Sequence, residues 1–389
     1  MQRLCRILRK ISLWGVMEVN FLVSFLDVLS YTGYIVLAIL VLLVMITVHE
    51  FGHYIAGKIF KFKIEEFAIG FGPKLFSKQK SDGEIFSVRL LPLGGFCAFK
   101  GEDDDVEDKD AFNNKKPWQR IIVLLSGAIM NYLLALILIL TMFSFYGQPS
   151  LMTGKIDKAE QYEAEYSFSD RDIILKANGK NVYLITDLMK ATENKKVGEI
   201  IQFEVLREGK SQTINVKLRA STNYENVEDS VLLYKALGVH YELDSDGKLY
   251  SGGMYSTFVK LNFFATIGRS IMYSFRLAGS VFMVLGELLT GALGIRAIGG
   301  TITTLGVTAT AIKIGGFRYL LNIASLIGVN LAVFNLLPIP ALDGSRVVFT
   351  AIEWARKKPI NRRAEGIIHT IGFILILLFA IFVDLQRCF

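Results

Sequence analysis

Cysteine and histidine are both scarce in this chain of 389 residues. The three cysteines, Cys5, Cys97 and Cys388, lie far apart and have no paired spacing that would suit a zinc site or a disulfide framework. Their spacing argues against structural zinc held by cysteine. With only four histidines in the chain, two of them at a regular spacing are informative.

Charged residues are nearly absent from four long stretches, although they make up 20% of the chain. The 52% hydrophobic residues and a mean hydropathy of +0.41 exclude an ordinary soluble protein. A helix needs about 20 apolar residues to cross a hydrocarbon core of roughly 30 Å. We therefore expect a polytopic α-helical membrane protein with about four transmembrane helices. The four stretches are residues 28–48, 121–150, 319–342 and 366–383.

Positive charge is concentrated in the predicted connections, and the formal net charge is +7. Loops that face the cytosol carry such an excess in membrane proteins, so it does not indicate a nucleic-acid partner. The basic loop 346–365 and the lysine-rich segment after the first span are therefore placed in the cytosol. This topology leaves residues 151–256, both chain ends and Cys388 outside, with Cys97 on the cytosolic side.

The segment between the second and third predicted spans has the pattern of a folded module. Residues 200–206 and 213–218 alternate between apolar and polar and predict strands, while Asn178-Gly179 predicts a turn. We expect an α+β domain of roughly 70 residues. Charges scattered through residues 257–318 favour an interfacial amphipathic helix, followed by a glycine-rich re-entrant or surface segment. Two further membrane crossings are the alternative.

The pentapeptide His-Glu-Phe-Gly-His occupies residues 49–53, at the inner end of the first span. On a helix, His49 and His53 lie one turn apart on the same face, so both imidazoles can hold one Zn²⁺ ion. Glu50 is close enough to act as general base on a metal-bound water. The plainer interpretation is a helix end whose polar residues only meet lipid headgroups.

A catalytic zinc site usually has a third protein ligand, and Asp343 is the better candidate. It ends the third span, which the topology brings to the same depth as His49 and His53. Pro338 and Pro340 break the helix just before it, and such irregular backbone is tolerated in a membrane only inside protein or beside a wet cavity.

Other residues are weaker candidates for the same site. His240 lies in the exterior module, and His369 begins the fourth span without an acidic companion. Glu353 is the ligand that a different kind of membrane metalloprotease would use. Asn335 either binds the substrate backbone or bridges helices.

These motifs resemble the bacterial site-2 proteases of the regulator of sigma-E protease type. The resemblance rests on residues 49–53, on Asn-Leu-Leu-Pro-Ile-Pro-Ala-Leu-Asp-Gly at 335–344, on Gly-Phe-Gly-Pro at 70–73, on Pro-Leu-Gly-Gly-Phe at 92–96, and on Gly127 with Asn131. It implies zinc on His49, His53 and Asp343, with water activation by Glu50. It also implies a membrane-associated β-region and an inserted PDZ-like α+β domain.

The chain departs from the family pattern in three places. Ser345 replaces the second glycine after Asp343, the PDZ signature is eroded over residues 166–172, and Gly299-Gly300-Thr301 replaces a Gly-Pro motif. Residues 1–27 resemble an added extension.

The expected organisation follows the chain from end to end. It comprises an N-terminal extension (1–27), the first transmembrane helix (28–57), a cytosolic and membrane-dipping β-region (58–118), the second helix (119–150), the PDZ-like domain (151–220), a linker with the amphipathic helix and glycine-rich segment (221–318), the third helix with Asp343 (319–345), the basic loop (346–365) and the fourth helix (366–386).

The resemblance implies an intramembrane zinc metalloprotease of the cell membrane, with its active site near the cytosolic side and its PDZ-like domain outside. The implied substrates are single-pass membrane proteins such as anti-sigma factors or signal-peptide remnants, reached within the lipid bilayer. An extended substrate segment could add to a strand edge at residues 85–96, where glycines let another backbone approach. The rival functions are a membrane scaffold with a degenerate metal site and a zinc-dependent transporter. The expected substrate contacts are Gly94, Gly95, Phe96, Asn335, Pro338 and Pro340.

Overall fold

The structure is a computed structural model that describes residues 2–102, 106–157, 166–224, 230–243, 249–291 and 300–385. Two of the expectations, on Cys388 and on Gly299, fall outside these residues. The chain divides into two compact units, Met1–Leu138 with Ile295–Phe389 and Ile139–Gly294.

The described elements follow one another as helices, a long hairpin, a mixed module and further helices. They are α1 (Gln2–Ile59), β1 (Ile64–Gln79), β2 (Ile85–Phe99), a short 3₁₀ helix (Phe112–Asn114), α2 (Pro117–Phe145), β3 (Gln148–Thr153), β4 (Ile173–Ala177), β5 (Lys180–Asn181), α3 (Ile185–Thr192), β6 (Ile200–Arg207), β7 (Lys210–Lys217), α4 (Ser230–Leu237), β8 (Tyr241–Leu243), β9 (Leu249–Gly252), β10 (Met254–Val259), α5 (Phe263–Thr290), α6 (Thr301–Leu336), α7 (Asp343–Arg356) and α8 (Arg362–Leu385).

Five of the described helices are long and apolar enough to cross a membrane. Four of them overlap the predicted spans, in agreement with a helical membrane protein. The fifth is α5, where we predicted an interfacial helix. The five candidates are Ser30–Ile59, Pro117–Phe145, Phe263–Thr290, Thr303–Leu336 and Arg362–Leu385.

Two segments differ from their predicted form. The basic segment 346–365 was expected to be a loop, but residues 346–356 belong to α7, which buries Ser345, Thr350 and Glu353. The glycine-rich segment is helical from Thr301, and the helix is interrupted only at Gly316, where φ is 62° and ψ is −149°. Glycine adopts this backbone conformation without a Cβ clash.

The hairpin packs beneath α1 and α2 in the first unit. Strands β1 and β2 pair antiparallel, with Ile69 opposite Gly95 and Ala68 opposite Phe96. Residues 85–88 of β2 pair with residues 66–69 of β1 on one side and with residues 76–79 on the other, so the strand edge predicted over residues 85–96 is wrong for residues 85–88. An apolar cluster joins the hairpin base to the helices and fixes the end of β2 beside the last turns of α1. Its buried members are Ala56, Phe62, Ile64, Phe67, Cys97, Phe99, Phe112, Val123 and Leu124.

The second unit contains an antiparallel sheet in the order β10-β3-β4-β6-β7, with β5 paired to β4. The predicted strands are confirmed as β6 and β7, and the turn at Asn178-Gly179 has positive φ at both residues. The sheet, α3 and α4 enclose a core that includes Phe203, Leu188 and Leu233. The module is larger than predicted because β10 forms one edge of its sheet, well beyond residue 220.

Helix α5 packs one face against this module. Its buried residues include Thr266, Ser270, Tyr273 and Leu277, which recur every three to four positions. Arg276 forms an ion pair with Asp187 at the start of α3. Helix α5 is therefore amphipathic, as predicted, with aromatic and aliphatic side chains on its exposed face.

Candidate metal centre

Two histidines on the last turns of α1 face one aspartate at the start of α7. Nε2 of His49 lies 2.9 Å from Oδ2 of Asp343, and Nε2 of His53 lies 3.4 Å from the same oxygen. The two Nε2 atoms are 3.1 Å apart. Both imidazoles are buried, and the Asp343 side chain is 21% exposed. The structure thus brings together the three residues that the sequence predicted as ligands.

The three donor atoms fit a zinc ion. Zinc binds nitrogen and oxygen at about 2.0–2.1 Å in a tetrahedron, whose edges are then about 3.3–3.4 Å long. The observed donor separations of 2.9, 3.1 and 3.4 Å are close to that edge length. Oδ2 of Asp343 is buried, and among the described residues its polar neighbours are these imidazole nitrogens. Two imidazoles and one carboxylate form a donor set typical of catalytic zinc.

The partners of each imidazole determine which nitrogen is free for the metal. Nδ1 of His53 lies 2.8 Å from the backbone carbonyl of Val123 on α2, so Nδ1–H donates and Nε2 carries the lone pair. Nδ1 of His49 lies 3.4 Å from the side-chain amides of both Asn131 and Asn335. When Nε2 of His49 binds metal, its Nδ1–H needs an acceptor, which an Asn amide oxygen provides once its oxygen and nitrogen are exchanged. The buried Oδ1 of Asn131 otherwise has no partner.

Glycine allows α2 to approach the two imidazoles. A Cβ atom added at Gly127 would lie 2.5 Å from Nε2 of His53 and 2.7 Å from Cε1 of His49. No side chain fits there without moving a ligand. The close approach of α2 to the two imidazoles is a physical reason for glycine at position 127, four residues before Asn131.

The predicted general base lies beside the end of β2. The backbone N–H of Cys97 donates a hydrogen bond to the Glu50 carboxylate. A Cβ atom added at Gly95 would lie 3.6 Å from Cγ of Glu50 and 2.8 Å from the carbonyl oxygen of Ala68. The predicted substrate strand is therefore adjacent to Glu50.

The segment that presents Asp343 begins where α6 ends. Helix α6 stops at Leu336, which confirms the predicted break ahead of Pro338 and Pro340. Gly344 lies so close to the end of α6 that an added Cβ would collide with the carbonyl oxygens of Leu336 and Leu337. The glycine after Asp343 is required by this contact.

Of the other residues predicted for the site, Asn335 contacts a metal ligand and His240 does not. Asn335 faces His49, which supports the helix-bridging role that was one of its two interpretations. Pro338 is exposed and Pro340 is half-buried. His240 pairs with Asp157 in the other unit and takes no part in the metal group.

Glu353 is not a metal ligand, which argues against the alternative protease that would use it. Its buried carboxylate pairs with Arg120 at 2.6 Å and with Arg362 at 2.8 Å. Burial alone would raise the pKa of Glu353, but hydrogen bonds from the Ile360 amide and Arg120, together with the charge of Arg362, hold that pKa below its ordinary value.

Comparisons with known proteins are consistent with this geometry. The sequence profile of peptidase family M50 matches residues 37–379. A Clostridium perfringens protein with a provisional zinc-metalloprotease name is 32% identical over 349 residues, which cover 88% of this chain and 95% of that protein. A Clostridium acetobutylicum protein with the same provisional description is 30% identical over 353 residues, or 90% and 96%. The zinc metalloprotease RasP of Geobacillus kaustophilus is 26% identical over 425 residues, or 88% and 95%.

Proposed function

Since the chain belongs to peptidase family M50 and is a zinc metallopeptidase, we propose that it cuts other membrane proteins within their transmembrane segments. One observation carries this proposal. His49 and His53 lie within the apolar helix Ser30–Ile59, and Asp343 meets them just beyond the apolar helix Thr303–Leu336. A hydrolytic centre at such a place would act on segments that enter the bilayer.

The proposed roles follow from the positions of the side chains. His49, His53 and Asp343 hold the zinc, with Asn131, Asn335 and the Val123 carbonyl fixing the imidazoles. When bound, zinc polarises the scissile carbonyl and acidifies water. Glu50 accepts a proton from the attacking water and delivers it to the leaving nitrogen.

The end of β2 is the proposed substrate-binding strand. A transmembrane helix buries its carbonyls in its own hydrogen bonds, so a protease must unwind it before hydrolysis. Within the described residues the end of β2, residues 95–98, pairs only with residues 66–69 of β1, which leaves its other edge available for an extended segment. Gly94, Gly95 and Phe96 lie on this strand, and Gly95 packs near Glu50. Pro338 and Pro340 are proposed to contact the same segment.

The module of the second unit is proposed to be PDZ-like and to lie outside the membrane. An antiparallel sheet with two short helices supports this assignment. Asp172, which stands where the family has the aspartate of its Gly-Asp-x-Ile-Leu element, is fully buried and binds Arg207 through both carboxylate oxygens at 2.7 and 2.6 Å. Asp172 is thus a structural residue, and we assign the module to substrate selection rather than catalysis.

The metal centre is proposed to lie near the cytosolic side. Helix α7 begins with Asp343 and ends with Arg356, and Lys357 and Lys358 follow it; a basic connection of this kind favours the cytosol. Single-pass proteins such as anti-sigma factors or signal-peptide remnants are the proposed substrates, and no nucleic acid is involved.

Mapping the cut in a purified single-pass substrate tests the proposal. The wild-type chain with zinc should cut within the apolar segment, and Glu50→Gln should lower the rate by about 10²-fold or more through loss of the general base. Glu65→Gln, at an exposed position of β1, is the matched control and should leave the rate unchanged. Equal cleavage by Glu50→Gln, or cuts confined to soluble regions, would contradict the proposal. A wild-type chain that binds the substrate but does not cut it would support the alternative of a membrane scaffold with a degenerate metal site.

A further inference from the structure

A histidine on α8 contacts the loop that presents Asp343. Nδ1 of His369 accepts a hydrogen bond of 3.0 Å from the backbone N–H of Ala341. The ring of Phe349 on α7 packs edge-on against the same imidazole, with 5.7 Å between ring centres. Ala341 stands two residues before Asp343, so this contact acts on the backbone that leads into the ligand.

His369 supplies a partner from another helix for one amide group of this loop, residues 338–342. Pro338 and Pro340 have no N–H. The N–H of Ile339 bonds to the carbonyl of Leu337 at 2.8 Å, and that of Leu342 bonds to the carbonyl of Ile339 at 3.1 Å. The remaining N–H belongs to Ala341, and it points to the imidazole. A partly buried amide without a partner would favour other loop conformations.

The Ala341 turn needs support from outside the loop. Its φ is +81°, in the left-handed region that residues with a Cβ rarely adopt. One turn beyond His369, Gly372 packs so closely on Pro340 that an added Cβ would lie 2.7 Å from the proline carbonyl oxygen. Helix α8 therefore meets the loop at two successive points, through a hydrogen bond and through close packing.

We propose that His369 is a positioning residue that holds the Ala341 turn and thereby keeps the Asp343 carboxylate directed at His49 and His53. His369 is not a metal ligand. Its function requires an acceptor at Nδ1, which places the imidazole proton on Nε2. The inference rests on the proposed role of Asp343 as the third ligand, and it assigns a task to a histidine for which the metal centre has no other use.

Two substitutions distinguish the effect of the hydrogen-bond acceptor of His369 from the effect of its ring shape. His369→Phe keeps a ring of similar shape but removes the acceptor, whereas His369→Asn places an amide oxygen where Nδ1 stands. Zinc affinity of the purified full-length chain is measured by chelator competition, and the absorption spectrum of the Co²⁺-loaded chain reports the ligand geometry. We expect His369→Phe to weaken zinc binding by about 10- to 100-fold, as for outer partners of other metal sites, and to alter the spectrum. His369→Asn should restore most of the affinity and the parental spectrum.

Further variants keep the test decisive. Thr370→Val is the matched control, since the Thr370 hydroxyl bonds to the Gly366 carbonyl within its own helix, and it should leave zinc binding unchanged. If His369→Phe does not fold, Gly372→Ala disturbs the same loop through Pro340 and should also weaken zinc binding.

Three results would overturn the inference: parental zinc affinity and spectrum in His369→Phe, equally weak binding in His369→Asn and His369→Phe, or unchanged zinc binding in Gly372→Ala. Asp343→Ala separates the two levels of the proposal. Zinc retained by Asp343→Ala contradicts the ligand assignment itself. Zinc lost by Asp343→Ala but kept by His369→Phe contradicts only the role of His369.

Discussion

At the residue scale, backbone atoms and glycines support the metal ligands as much as side chains do. Val123 orients His53 through its carbonyl, and Cys97 binds Glu50 through its amide. Gly127 leaves the space in which both imidazoles lie. These contacts fix the tautomer of His53 and the position of Glu50, the proposed general base, before any metal binds.

Gly127→Ala should weaken zinc binding by about 5- to 150-fold, because the added methyl group overlaps both imidazoles and overpacking of this kind costs about 1–3 kcal/mol. Chelator competition on the purified chain provides the measurement. Gly33→Ala is the matched control, since no atom lies within 4 Å of the added Cβ. A Gly127→Ala chain with parental zinc affinity would show that the imidazoles are not confined as the structure indicates.

The sequence was sufficient to predict His49, Glu50, His53 and Asp343, because helical spacing and a helix-breaking segment are local signals. It was insufficient for His369, whose partner is a backbone N–H rather than an acid. Backbone partners such as the Val123 carbonyl carry no side-chain signature, so only the packing of α2 against α1 reveals them.

At the element scale, a buried group of three charged residues connects the short helix α7 to α2 and α8. Glu353 on α7 binds Arg120 on α2 and Arg362 on α8, with the carboxylate only 6% exposed. Removing one member of a buried pair leaves the other charges without a partner. This connection anchors the C-terminal end of the helix whose first residue is Asp343.

Glu353→Gln should destabilise the chain by about 3 kcal/mol, as expected when a buried ion pair is broken. Burial alone would raise the pKa of Glu353. Its hydrogen bonds and cationic partners outweigh burial and hold the pKa below its ordinary value of 4.5. Its contribution to stability is therefore complete above pH 4.5 and is lost as the pH falls through the lowered pKa. Thermal unfolding in detergent against pH is the measurement.

The control for this pair is Glu204→Gln, which breaks the partly exposed ion pair with Lys176 and should cost about 0–1 kcal/mol. If Glu353→Gln were no less stable than Glu204→Gln at neutral pH, the buried pair would not anchor α7.

Sequence patterns predicted some elements better than others. Strands β6 and β7 follow from their alternation, since one face of each is buried in the core. Helix α7 was missed because its basic residues resemble a cytosolic loop, and its amphipathic pattern becomes clear only with Thr350 and Glu353 buried. The larger extent of the β-module could not be predicted, because β10 pairs with β3 across about a hundred residues of chain.

At the scale of the whole molecule, the chain combines a helical unit that carries the metal centre with a second unit built on a β-sheet. The two have different tasks in the proposed function, which are hydrolysis and substrate selection. The proposal that the metal centre lies near the cytosol and the β-sheet module outside comes from the charge of the connections.

Impermeant thiol labelling of intact cells tests this placement. Native Cys97 is buried, so the test uses single cysteines at exposed positions in a cysteine-free chain. Lys210→Cys on β7 should be labelled, and Lys78→Cys on β1 should be labelled only after the cells are opened. The reverse pattern would place the hairpin outside and contradict a cytosolic metal centre.

Zinc content measured beside substrate cleavage in four purified variants tests the central claim most directly. Glu50→Gln should retain about one zinc per chain while cleavage falls by about 10²-fold or more, since only the proton acceptor is lost. Asp343→Ala and His53→Ala should lose both zinc and cleavage, whereas Glu353→Ala, assayed at a temperature where it stays folded, should keep its zinc. Full zinc occupancy in Asp343→Ala together with zinc loss in folded Glu353→Ala would contradict the metal centre described above.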